Sequence, residues 1–337
     1  MISELPIWGV FALFALAAVT ILFCGLRMTD LADRLADRTG LGEAVIGGVL
    51  LGAATSLSGT IVSLTAALDG RASLAFSNGV GGIAAQTAFL ALADLIHRRA
   101  NLEHASAEPA NLFQGAFLML MLTVPFLAFS TPEITFWSVH PLSVILVFLY
   151  VLGIVGTSRV RERPMWKPVR TNETRYDVSD EETDSDRSPV RLLVPFVALM
   201  VVLSAAGWTI ARCGFVIADE LGVSSTAVGA LMTAVATSLP ELVTTIAAVR
   251  RGALQLAVGG IIGGNTFDVL FLTLSDIGYR DGSLFHAVEA QDFFWLSVGL
   301  FMTAILLLGL ILRQKQGPAG IGFESAGILL VYGGAIL

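Results

Sequence analysis

A helical membrane protein with all-α polytopic architecture is the fold class this sequence predicts, and three observations carry it. Hydrophobic residues make up 55% of the 337-residue chain and charged residues only 14%, whereas a soluble domain carries about 25% charge. Apolar runs of about 20 residues, the length a helix needs to cross a bilayer, recur along the whole chain. Basic residues cluster in alternate connections between those runs, as in a protein that crosses the membrane many times.

Ten transmembrane helices are expected, over residues 6–26, 42–67, 73–96, 112–130, 136–156, 191–211, 223–249, 253–275, 292–312 and 320–337. The first segment has no Lys or Arg before it, is too long for the apolar region of a cleaved leader, and is followed by Arg27. It reads as a retained helix. Alternate connections hold Arg27, Arg34 and Arg38, then Arg98 and Arg99, then the eight basic residues from Arg159 to Arg191, then Arg250 and Arg251, then Arg313 and Lys315. The other side holds only Arg71, Arg212 and Arg280. The positive-inside rule puts both termini outside and the 157–190 loop in the cytoplasm of a bacterial-type plasma membrane.

That loop is basic from Arg159 to Arg170 and acidic from Glu173 to Asp186. Its basic half suits anionic headgroups. Its acidic half lacks metal-loop spacing and reads as a solvated linker. The net charge of −7 says little about partners, because this loop holds much of the acid. Cys24 and Cys213 lie in or beside apolar segments and read as packing residues.

The two halves repeat. At a constant offset of 182 residues Gly40 meets Gly222, and Thr55-Ser56-Leu57 meets Thr237-Ser238-Leu239. Gly81-Gly82 meets Gly263-Gly264, and Asp94 meets Asp276. The predicted organisation is a first repeat over 1–156 (core about 40–96), the linker 157–190, and a second repeat over 191–337 (core about 222–276). Five helices per half, an odd number, invert the second repeat, and inverted repeats build their sites near the bilayer midplane.

Two acids stand inside apolar segments, where a carboxylate is costly and functional by default. Glu241 follows Thr237-Ser238-Leu239-Pro240. Pro240 removes a backbone donor and disfavours helix at Leu239, so the helix breaks beside the acid. Asp268 ends Gly263-Gly264-Asn265-Thr266-Phe267-Asp268. Thr55, Ser56, Thr237, Ser238, Gln86 and Asn265 are the candidate oxygen donors around them; for Asn265 an interhelical hydrogen bond is the preferred reading over a ligand. Asp94 and Asp276, near helix ends, read as interfacial. Glu43 reads as a solvated helix terminus. The histidines at 97, 104, 140 and 286 show no metal-ligand or triad spacing, and no phosphate-binding loop is present. Nothing asks for an enzyme, a bound cofactor or a nucleic-acid partner; oligomeric state is not legible.

The run from Thr237 to Thr245, followed by Gly259 to Asp268, resembles the second α-repeat of the sodium/calcium exchanger family, the calcium:cation antiporters. The resemblance implies ion-coupled exchange by alternating access, with helices one and six sliding across the core. It implies that Glu241 and Asp268 bind the transported cation (calcium, sodium or proton), aided by Thr237 and Ser238. The first repeat is degenerate. Gly59 stands where the family has Glu, Ser58 where it has Pro, and Gln86 is the position facing Asp268.

Calcium takes six to eight hard oxygens, usually with several carboxylates. Two acids neutralise one divalent ion, but equally exchange one monovalent ion or a proton, since two carboxylates in low dielectric resist joint ionisation. The leading expectation is an antiporter exchanging a metal cation for sodium or protons. A second reading has Glu241 and Asp268 drive transport of a different, organic solute through room left by the missing acid. A third is a non-transporting ion sensor that signals through the acidic loop.

Overall fold

The computed structural model describes residues 2–39, 55–97, 100–106, 108–169, 171, 189–317 and 321–337. The helices run α1 (Ile7–Thr39), α2 (Leu57–Leu68), α3 (Ala72–Asp94), the short α4 (Leu102–Ala105), α5 (Pro109–Ser130), α6 (Pro141–Glu162), α7 (Pro189–Leu221), α8 (Ser225–Thr237), α9 (Leu239–Arg251), α10 (Leu254–Asp268), α11 (Leu270–Gly278), the short α12 (Leu284–Ala287), α13 (Ala290–Leu312) and α14 (Phe323–Ile336). Among the described residues the only extended pairing is an isolated bridge between Phe136 and Val139. The acidic half of the linker from Glu173 to Asp186, Gly40 and Glu43 lie outside the described residues.

Among the described residues six helices are long and apolar enough to cross a membrane: α1, α5, α6, α7, the α10–α11 run and α13. The bent pair α8–α9 makes seven. Of the other expected segments, 73–96 and 320–337 match α3 and α14, and 42–67 overlaps α2, its residues 42–54 lying outside the described ones. The helices α2 and α14 are apolar but short. The helix α3 has 23 residues and carries Ser77, Asn78 and Gln86 in its middle.

Those polar residues are tolerated because α3 is the axis of the molecule. All of it is buried except Ser73 and Leu92, and a helix with no polar stripe must be covered all round. It packs against α2, α8, α9, α10, α11, α13 and α14. Long α1 and α7 lie together on the outside, α1 reaching α8 and α9 and α7 reaching α2. Their outward faces hold Trp8, Leu16 and Phe23 on α1 and Val194, Val201 and Trp208 on α7, all exposed. Large apolar side chains facing outward suit lipid rather than water.

The repeat written in the sequence reappears as paired contacts. A Cβ added to Gly25 of α1 would stand 2.5 Å from the Pro240 ring, and one added to Gly207 of α7 would stand 2.7 Å from the Ser58 carbonyl oxygen. Gly25 and Gly207 are equivalent by the offset, as are Ser58 and Pro240. Each outer helix therefore crosses a core break at a glycine, where only a missing side chain permits the approach.

Asp94 and Asp276 correct the expectation of interfacial acids. Both are buried. Asp94 accepts hydrogen bonds from the Leu102 amide at 2.7 Å and the Gly322 amide at 3.4 Å. Asp276 accepts from the Leu284 amide at 2.9 Å, the His140 amide at 2.7 Å and the Ser143 hydroxyl at 2.6 Å. Leu102 is the repeat mate of Leu284, and Gly322 of His140. Each acid caps a short helix (α4 or α12) and the chain entering α14 or α6, satisfying amides that would otherwise be orphaned. Position along a helix suggested exposure, but the connecting loops fold over both acids.

Candidate functional site

The break at Pro240 forms as its chemistry requires. The helix α8 ends at Thr237, α9 starts at Leu239, and the two axes differ by 47°. Pro240 stands in the first turn of α9, where its missing N–H is no loss. Glu241 follows in that first turn, where unpaired amides favour a carboxylate. The hinge residue Ser238 has φ −94° and ψ 5°. Its repeat mate Ser56, at the start of α2, has φ −86° and ψ 4°. The same hinge angles thus recur at equivalent positions, although only one of the two is followed by a proline.

The two breaks meet α3 and α10 around one small cavity. Ser56, Gly59, Asn78, Gly82, Gln86, Thr237, Ser238, Glu241, Asp268 and Phe271 line it, and no Lys, Arg or His is among them. Its volume is about 10 Å³, on the order of one water-sized sphere. Ser56 donates to Asp268 Oδ1 at 2.6 Å, and Gln86 Nε2 donates to Asp268 Oδ2 at 2.7 Å. Gln86 Nε2 also lies 3.3 Å from Ser238 Oγ. The Thr55 side chain hydrogen-bonds Glu241. Glu241 Oε2 and Gln86 Oε1 are buried without a hydrogen-bond partner among the described residues.

These bonds obey the repeat. Gln86 and Asp268 are 182 positions apart and touch each other at the axis. Ser56 bonds Asp268 while its mate Ser238 bonds Gln86. Thr55 bonds Glu241 while its mate Thr237 lies against Gly59, its hydroxyl 3.5 Å from where a Gly59 Cβ would be. Charge breaks the symmetry, with both acids in the second repeat.

The ring of Phe271 stands against Gly59, the position at which the resemblance implies an acid. A Cβ on Gly59 would stand 2.7 Å and 3.1 Å from two of its ring atoms. The family Glu does not fit here unless that ring moves.

Six of the eight sequence candidates line the cavity: Ser56, Gln86, Thr237, Ser238, Glu241 and Asp268. Thr55 reaches it through Glu241. Asn265 does not line it, and its amide donates to Thr87 Oγ1 at 3.0 Å. Gln86, expected as an oxygen ligand, faces Asp268 with its amide nitrogen. Asn78 and Phe271 line the cavity although sequence reasoning missed them. Asn78 donates to the Gly59 carbonyl at 3.1 Å and Ser63 Oγ at 2.9 Å, and accepts from Thr233 at 2.6 Å. It fixes α2 and α8 onto α3. An amide in mid-apolar segment was the available signal; for Phe271 there was none.

Comparison with known proteins agrees with this geometry. The family profile described as "Sodium/calcium exchanger protein" matches residues 9–158 and 191–337, leaving out most of the charged linker. Inner membrane protein YrbG of Escherichia coli (strain K12) is 27% identical over 322 residues, covering 95% of this chain and 94% of that one. Sodium/calcium exchanger MaX1 of Methanosarcina acetivorans is 32% identical over 142 residues, 39% of each chain. Among solved structures, the sodium-calcium exchanger NCX_Mj matches with TM-score 0.63 and 19% identity over 97% of both chains. The H+/Ca2+ exchanger CAX matches with TM-score 0.69 and 13% identity over 96% of this chain and 80% of that one. At such identities the two structures speak for the fold alone. The profile spans both halves and includes every residue of the cavity, so the chain belongs to the sodium/calcium exchanger family.

Proposed function

We propose that this protein is a secondary-active cation antiporter that exchanges a metal cation, calcium or another, for sodium or protons by alternating access. The observation that carries the reading is that Glu241 and Asp268 face one buried cavity with no basic side chain on its wall. Burying two carboxylates without a cation is costly. A bound cation or proton supplies what is missing, and the unpartnered Glu241 Oε2 is its first ligand. Asp268 is held by Ser56 and Gln86 and supplies the second charge. Hydroxyls of Ser56, Thr237 and Ser238 and the Gln86 carbonyl complete the shell; Asn265 stays a structural bond.

The cavity volume favours an ion over an organic solute, which needs a pocket of about 300 Å³ or more. The topology we favour has both termini outside, the 157–190 linker in the cytoplasm, and inverted repeats over 1–156 and 191–337. The helices α1 and α7 move over the two core breaks on the glycines at 25 and 207. That the relative YrbG is named an inner membrane protein supports a bacterial plasma-membrane location, with the lipid bilayer as the partner.

Proteoliposomes loaded with radioactive calcium test the reading. A sodium gradient, then a proton gradient, is imposed on the wild-type protein. Calcium movement driven by either names the coupling ion. No movement under either, with folded protein, overturns calcium as the metal substrate.

A further inference from the structure

A second set of buried acids lies far from the cavity, at the joint between α4 and the start of α14. Glu103 is 1% exposed and Glu324 is fully buried. None of their four carboxylate oxygens has a hydrogen-bond donor among the described residues. The two side chains are nevertheless within hydrogen-bonding reach of each other. Two carboxylates cannot bond, because an ionised carboxylate only accepts. One proton between them removes the conflict. We propose that Glu103 and Glu324 form a second proton-binding site, a carboxyl pair sharing one proton that latches α4 to α14.

The site is built, not incidental. Glu324 lies in a slot between two glycines. A Cβ on Gly309 would stand 2.6 Å from its Cγ, and a Cβ on Gly322 would meet its carboxylate. The other end of the molecule supplies a control. Asp276 there caps α12 and α6 as Asp94 caps α4 and α14, yet the repeat mates of Glu103 and Glu324 are Phe285 and Leu142. The same joint therefore folds with apolar residues, so the fold does not demand the acids.

Among the described residues the charged neighbours do not replace the proton. Asp94, on α3, is a like charge that raises the cost of ionising Glu103. His104, on α4, is 2.6 Å from the Arg313 carbonyl through Nδ1 and 3.0 Å from Thr171 through Nε2. Arg313, beyond α13, donates to the carbonyls of Val169 and His104. Lys315 follows it, and its carbonyl accepts from the Asn101 amide. On α10, also packed against α4, the only ionisable residue is Asp268, at the far end in the cavity.

The sign follows from burial. Desolvation, with Asp94 and Glu324 beside it, holds Glu103 well above the usual carboxylate range. A group raised on folding gives stability that is complete below its unfolded value, about 4.3 for Glu, and is lost as pH rises through the folded value. Releasing the proton charges both acids in a dry site and forces the joint apart.

The test is the unfolding temperature of the whole protein in detergent across pH, in a Glu241→Gln/Asp268→Asn background that removes titration of the cavity. The background is expected to lose stability as pH rises, by up to about tenfold in the folding constant per pH unit for one proton. Adding Glu103→Gln, a neutral mimic, is expected to flatten that dependence, and Glu324→Gln, which leaves Glu103 buried beside Asp94, to weaken it. Glu103→Phe/Glu324→Leu copies the other end and is expected to fold and to flatten it too. An unchanged pH dependence in these variants overturns the proposal. So does stabilisation by calcium or magnesium at alkaline pH that needs both acids, which would make the pair a metal site.

Discussion

The two repeats share a backbone and differ in chemistry. Ser56 and Ser238 have nearly the same φ and ψ, and each outer helix crosses the core of the opposite repeat at a matching glycine. Yet the second repeat holds both cavity acids, whereas the first offers Gly59 under the Phe271 ring and a neutral Gln86. The hinge angles therefore recur in both repeats while the acids stand in one. Pro240 lies in the bent pair α8–α9, and Ser58 holds the equivalent place in the first repeat.

Substitutions at equivalent places break or sharpen that comparison. The largest expected effect is Glu241→Gln, which removes one of the two carboxylates of the proposed cation site. Losing one partner of a buried charge pair costs about 2–5 kcal/mol, roughly thirtyfold or more in affinity. Cation binding to purified protein reads it; Gly59→Ala at the repeat mate should leave the charge balance intact.

Asp276→Ala should come next, in unfolding temperature rather than in ion binding. It orphans two buried amides and a hydroxyl, each costing about 1–3 kcal/mol. Asp94→Ala should cost less, because one of its two bonds is long at 3.4 Å. Equal losses would contradict the capping account.

Gly59→Glu should destabilise by about 1–3 kcal/mol through overpacking against Phe271. Adding Phe271→Ala should restore the unfolding temperature and strengthen divalent-ion binding. If the single variant is already stable and binds calcium better, the ring is not what fills the place of the missing acid. The smallest effect is expected for Ser238→Ala, whose long contact to Gln86 is worth about 1 kcal/mol or less. Ser56→Ala, which loses a 2.6 Å bond to a carboxylate, should cost more in ion binding.

Much of this was legible in the sequence because membranes simplify the reading. An acid in an apolar run is conspicuous, so Glu241 and Asp268 stood out, and a constant offset exposed the repeat that brings Gln86 to Asp268. The offset also located the partners Ser56 and Ser238. What depends on packing across the chain was not legible. Phe271 reads as one more apolar residue until its ring is seen against Gly59. Asp94 and Asp276 read as interfacial because the loops that bury them, around Leu102, Gly322, His140 and Leu284, are remote in sequence. The Glu103–Glu324 pair was hidden for the same reason. Span counting was weakest at α3, whose polar middle is paid for by neighbouring helices rather than by lipid-facing apolarity.

On the proposed reading the second repeat alone supplies the charge that moves the cation. Radioactive-calcium exchange in proteoliposomes, comparing wild type with Glu241→Gln and Asp268→Asn, tests it most directly. The account predicts that both folded variants lose exchange. Wild-type exchange by a folded Glu241→Gln protein would contradict it and move the site elsewhere.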